Sequence, residues 1–132
     1  MKHCNIIKII TICLAAAFLF VGCNFSLKEE GFMNISQETA KEIMDTKECI
    51  ILDVRTPEEF AEGHIPGAIL IPDYEIAEKA PNILTDKDAL ILVYCRSGRR
   101  SKNAANQLVD MGYTNIKEFG GIIDWPYETT KE

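Results

Sequence analysis

Apolar residues fall along this chain in two rhythms, short continuous runs and stripes at helical spacing. Runs at 49–54, broken only by Asp53, and at 90–94 are as expected of strands covered on both faces. Shorter runs at 32–35, 68–71 and 115–119 read as further strands. Between them lie helical signals. Ser36 is placed to cap a helix over 37–46, in which Ala40, Ile43 and Met44 share a face. Thr56, Pro57 and Glu59 spell a capping box with proline at the first helical position, so a short helix starts there. Gly63-His64-Ile65-Pro66-Gly67 is a turn cluster. A helix is expected within 72–84, ending near Pro81, then a surface turn at 85–88. Residues 102–111 form another helix burying Ala105, Leu108 and Val109, with Gly112 to terminate it. After the last strand, Gly120-Gly121 leads to a short apolar segment carrying Trp125. Strands alternating with helices specify an α/β fold, a central parallel sheet of about five strands with helices on both faces.

The N-terminus follows different rules. Residues 1–8 carry Lys2 and Lys8 and no acid, and residues 9–22 are almost wholly apolar. That is the charged region and short apolar region of an export signal, too short for a comfortable membrane span of about 20 residues. It ends in Leu19-Phe20-Val21-Gly22-Cys23, which resembles the lipobox of bacterial lipoproteins. The resemblance implies cleavage after Gly22 and a diacylglyceryl thioether on Cys23. An uncleaved anchor or an ordinary signal cut nearby are the alternatives. The expected organisation is therefore a signal at 1–22, lipidated Cys23 with a polar tether at 23–31, and one domain at 32–132. It places the domain at the extracytoplasmic face of the cell membrane.

Net charge is -6, and loss of Lys2 and Lys8 would make the remainder more acidic still, which argues against nucleic acid as a partner. Against that background the four arginines are unevenly placed. Arg96, Arg99 and Arg100 follow the 90–94 strand directly, and Arg55 follows the 49–54 strand. Parallel strands bring their C-terminal ends to one edge, so Asp53, Arg55 and Cys95 share an edge where open α/β sheets place their sites. A cysteine at a strand end, beside guanidinium groups and a helix N-terminus, favours its thiolate. Cys49 begins its strand and so lies at the opposite edge, roughly 15–20 Å away at about 3.3 Å per residue. A disulfide needs Cα atoms within about 7 Å, so Cys95 is expected free and Cys49 a buried structural thiol.

Three stretches then carry a resemblance to the rhodanese family: Leu52-Asp53-Val54-Arg55 with Glu58-Glu59-Phe60, Gly63-His64-Ile65-Pro66-Gly67-Ala68, and Cys95-Arg96-Ser97-Gly98-Arg99-Arg100-Ser101. The ending from Gly112 through Gly120-Gly121 to Trp125 is also similar. The likeness is to the single-domain form. It implies a sulfurtransferase, with Cys95 taking sulfane sulfur from thiosulfate or a persulfide and passing it to a thiol or other thiophilic acceptor. It implies no metal and no organic cofactor. Backbone N–H groups of the loop, including Gly98, would cradle the sulfur, and Arg96, Arg99 and Arg100 would guide an anionic substrate, with Arg55 either guiding substrate too or held in a salt bridge. Ser97 and Ser101 could donate hydrogen bonds, Ser101 doubling as a helix cap. Asp53 is expected to support the loop, and His64 to belong to a structural turn.

Two rivals remain. Cysteine phosphatases and arsenate reductases hold an oxyanion with Cys-x5-Arg, but the position that would carry arginine here is Ser101. The six-residue loop from Cys95 to Arg100 has the sulfur-transfer length. The second rival is a non-catalytic module that carries sulfur or binds a partner.

Overall fold

The structure, a computed structural model, describes residues 31–132. The signal segment, Cys23 and the tether apart from Gly31 lie outside the described residues. The elements run β1 (Met33–Asn34), α1 (Gln37–Thr46), β2 (Ile50–Asp53), α2 (Pro57–Glu62), β3 (Ile69–Leu70), α3 (Ile76–Ile83), β4 (Ile91–Cys95), α4 (Arg99–Asp110) and β5 (Ile116–Gly121). Short 3-10 turns precede α3 at Asp73–Glu75 and follow β5 at Ile122–Asp124. All strand pairs are parallel, in the order β1-β5-β4-β2-β3. The α/β sheet expected from the pattern is the one found.

Two apolar cores flank the sheet. Alternation along β4 sends Ile91, Val93 and Cys95 into the core shared with α3 and α4, and Leu92 and Tyr94 into the core under α1 and Trp125. All five residues of β4 are buried, which explains the unbroken apolar run. The fold thus sets Cys95 at the C-terminal end of the strand flanked by β2 and β5.

Local signals hold where their hydrogen bonds are local. Ser36 Oγ accepts from Thr39 N at 3.1 Å. Thr56 Oγ1 accepts from Glu59 N at 3.2 Å while Glu59 Oε1 accepts from Thr56 N, completing the capping box. Three boundaries differ from the pattern. Pro81 does not end its helix: α3 runs on to Ile83, because Ala80 and Leu84 are drawn into the core and the Tyr113 hydroxyl sits between Ala80 O and Leu84 O. α4 starts at Arg99 rather than 102, capped by Gly98, so Ser101 lies inside the first turn and is not the cap. Gly120 and Gly121 belong to β5, not to a link after it.

Candidate active site

Cys95 lies beneath the first turn of α4 and is 1% exposed. Gly98 turns the chain with φ of 102°, a left-handed conformation that costs a side chain-bearing residue about 1–2 kcal/mol. The turn aims Gly98 N–H at Cys95 Sγ, 3.0 Å away. The N–H groups of Ser97 and Ser101 and the Ser101 hydroxyl also favour its anion. Burial pushes the thiol up, but these donors outweigh it and hold Cys95 below the ordinary thiol value. A buried nucleophile ringed by N–H donors can hold an anion on Sγ, or on one further atom bonded to it.

The loop side chains divide. Arg96, Ser97 and Arg99 are exposed at the mouth. Arg100 instead turns to α2, with Nη1 2.8 Å from Glu59 Oε1 and Nη2 2.9 Å from Oε2. This bidentate pair offsets the mismatch of a cation at a helix N-terminus. Chiefly through its hydrogen bond to Arg100, Glu59 is lowered to about 2. Glu59 therefore both caps α2 and clamps the loop, and only the first role is readable as a motif.

Arg55 also turns inward. It is 5% exposed, donates from Nε and Nη2 to Asp53, and reaches Gly63 O at 2.8 Å and Glu59 O at 3.3 Å. Burial opposes its charge, and the Asp53 carboxylate more than restores it. Asp53 is fully buried and also accepts Arg55 N–H at 2.9 Å. The Tyr94 hydroxyl touches Asp53 and accepts Ile65 N–H at 3.1 Å, and burial raises its pKa well above the usual phenol range. These groups tie β2, β4 and the Gly63–Gly67 turn together beneath the site. Of the two roles open to Arg55, substrate guidance and a salt bridge, its guanidinium is engaged in the second.

β5 closes the other side. Its register against β4 slips between Val93 and Cys95, so that Val93 pairs with Glu118 but Cys95 with Gly121. Such a bulge re-aims a strand beside a site. A Cβ on Gly121 would run into Arg96 O and Ser97 Cα, so only glycine lets β5 approach the loop this closely. Gln37 Nε2 donates to Gly121 O at 2.8 Å. Glu118, 3% exposed, accepts Gly120 N–H at 2.9 Å and the Ser101 hydroxyl at 2.6 Å. Neither Glu118 nor Gln37 stands out in the sequence. The signal for Glu118 is its parity with Ile116, which puts a carboxylate on a core-facing position.

The remaining candidates lie away from the sulfur. His64 is buried and stacks on Phe60 with ring centroids 3.6 Å apart, and its backbone pairs with Thr130. Trp125 packs on Phe119 at 5.6 Å. Cys49 is a free thiol, half-buried rather than buried, beside a cavity of about 430 Å³ at the opposite edge. Burial pushes its thiol up. Among the described residues no group of three or more His, Cys, Asp or Glu side chains is arranged to hold a metal.

Comparison with known proteins agrees with this architecture. The family model described as Rhodanese-like domain matches residues 36–126. A protein of Allochromatium vinosum named Sulfurtransferase is 37% identical over 91 residues, covering 68% of this chain and 83% of that one. The Escherichia coli protein named Thiosulfate sulfurtransferase PspE is 41% identical over 73 residues, 55% of this chain and 70% of that one. A solved structure titled rhodanese with anions, from E. coli, superposes with a TM-score of 0.60 at 36% identity, covering 64% of this chain and all of that one.

Proposed function

Because the chain belongs to the rhodanese-like domain family, we propose that it is a sulfurtransferase whose nucleophile is Cys95. The observation that carries this reading is the cradle around Sγ, with Gly98 N–H 3.0 Å away and the N–H groups of Ser97 and Ser101 beside it. The Cys95 thiolate attacks the outer sulfur of thiosulfate or of a persulfide. A new S–S bond forms as the old one breaks, and sulfite or a thiolate leaves with the bonding electron pair. The charge moves to the outer sulfur of the Cys95 persulfide, where the loop N–H groups and the dipole of α4 receive it. A thiol or other thiophilic acceptor then takes that sulfur and regenerates the thiolate. Two half-reactions through a covalent intermediate give ping-pong kinetics. The exposed Arg96 and Arg99 are the cations left to draw an anionic donor, since Arg100 and Arg55 are paired with carboxylates.

Intact mass of the full-length protein tests this reading. Thiosulfate should add one sulfur, cyanide should remove it, and Cys95→Ser should abolish the gain. Retained transfer in that variant would sink the assignment. The non-catalytic alternative predicts no sulfur gain from thiosulfate and no steady thiocyanate release under excess thiosulfate and cyanide.

The same proposal places the domain outside the cytoplasm, tethered through Cys23. What supports it is in the sequence: an acid-free signal, Gly22 before Cys23, and a polar tether. The two chains of a diacylglyceryl group hold a protein firmly where one chain holds it marginally. Cys23→Ala should release the protein from membranes or block its processing. A wild-type protein recovered soluble and unlipidated would remove the membrane and leave the sulfur chemistry standing.

A further inference from the structure

Glu118 is a carboxylate in a core strand. It is 3% exposed, shares the α4 face with Ile116, and among the described residues enters no ion pair. Its Oε1 takes two donors, Gly120 N at 2.9 Å and Ser101 Oγ at 2.6 Å. The first contact follows from the β5 bulge, where the carboxylate accepts the N–H of Gly120. The second is short, as for a charge-assisted bond. Ser101 Oγ also lies 3.0 Å from Gly98 O and 3.4 Å from Gly120 O, yet a hydroxyl has one proton to give.

That single proton is contested. The Ser101 hydroxyl bonds Glu118 at 2.6 Å and also favours the Cys95 anion. Shared with the carboxylate, that proton serves the sulfur less than it would if Glu118 did not draw on it. The two anionic groups also sit on either side of one short segment: Gly98 donates to Sγ, and a Cβ on Gly98 would stand 3.9 Å from Glu118 Oε1. We propose that Glu118 is a positioning residue that tunes Cys95 through Ser101, holding the Ser101 proton and setting its own negative charge behind the sulfur. Cys95 then ionises less readily, and attacks more strongly once ionised, than the loop N–H groups alone would dictate.

The chemical value lies in the balance between acidity and nucleophilicity. A thiolate made too stable is a poor nucleophile, because attack weakens as thiol basicity falls. Three backbone donors and a helix dipole push Cys95 in that direction, and Glu118 pushes back. The other charges at this edge are accounted for. Arg100 on α4 is held by Glu59 of α2 and feels Cys95 and Asp73, while Arg55 and Asp53 after β2 are closed on each other. The inference rests on the sulfur-transfer reading only for the use made of the thiolate, since ionisation is measured without a sulfur donor.

The test is the rate of alkylation by iodoacetamide against pH in the full-length chain, followed at the Cys95 peptide by mass spectrometry. Glu118→Gln removes the charge and leaves Ser101 a weaker, neutral acceptor, so that its proton is freed towards the sulfur. Its midpoint should fall by about one pH unit. The plateau rate constant should then fall about threefold, because the thiolate formed at lower pH is the weaker nucleophile. In a Ser101→Ala background the same substitution should move the midpoint by less than half as much. Should Glu118→Gln not fold, Glu118→Asp withdraws the carboxylate from Ser101 and should move the midpoint in the same direction. An unchanged or raised midpoint in a folded variant overturns the proposal. So does an equal displacement with and without Ser101. A missing mass gain from thiosulfate, with the midpoints moving as expected, would overturn the sulfur-transfer reading alone.

Discussion

Cys95 owes its reactivity to where its donors come from. Desolvation raises the thiol, and the Ser101 hydroxyl with the N–H groups of Ser101, Gly98 and Ser97 lowers it further than burial raises it. Alkylation at the Cys95 peptide should therefore show a midpoint below the free-thiol value of about 8.5. The Cys49 peptide should titrate above it, because burial acts there unopposed. Charge placement gives a second outcome. Replacing Arg96 and Arg99 with Ala should raise KM for thiosulfate by about tenfold or more, a charge-assisted contact being worth about 1.5–3 kcal/mol. The same pair should leave use of a neutral sulfur donor nearly unchanged. Asp53 belongs to stability instead: Asp53→Ala strands the buried Arg55 guanidinium and should cost about 3–5 kcal/mol in denaturant unfolding.

Elements meet at this site by close approach of backbone. Gly121 lets β5 lie against Arg96 and Ser97, where any Cβ would collide with main-chain atoms that cannot swing aside. Gly121→Ala should cost about 1–3 kcal/mol and raise KM, by forcing the loop away from β5. Gly98→Ala should cost about 1–2 kcal/mol through its φ of 102° and weaken the N–H bond to Sγ. A variant with unaltered thiosulfate kinetics in both cases would disconnect loop geometry from activity. The glycines are legible as letters in the sequence, but their reasons are not. Gly120-Gly121 reads as a link after the last strand because glycine weakens a strand, whereas here the pair finishes a bulged one. The start of α4 escapes the pattern for a related reason: a glycine in the left-handed region can cap a helix without any side-chain bond, so no capping letter announces it.

At the scale of the whole molecule, the Glu59–Arg100 pair joins α2 to the loop and ties stability to pH. Glu59 is lowered in the folded state to about 2, so its contribution is present above the unfolded carboxylate value and is lost as pH falls through the folded one. Glu59→Gln should cost about 1 kcal/mol at neutral pH, as for a partly exposed ion pair. The difference from wild type should shrink as pH falls from about 4.5 towards about 2, measured by denaturant midpoints. A penalty independent of pH would assign the loss to the capping bond alone. The sequence by itself determined the parallel α/β fold, the edge at which Cys95 emerges and the separation of Cys49 from it. Those follow from periodicity and from chain direction, which are local and repeat. Only packing decides which arginines are free, that Glu118 holds Ser101, and that Pro81 stays helical. Each of these depends on a partner distant in the chain: Glu59 is 41 residues from Arg100, and Glu118 is 17 from Ser101. Hydrogen bonds across such separations are set by how the sheet and helices pack, and no spacing pattern records them.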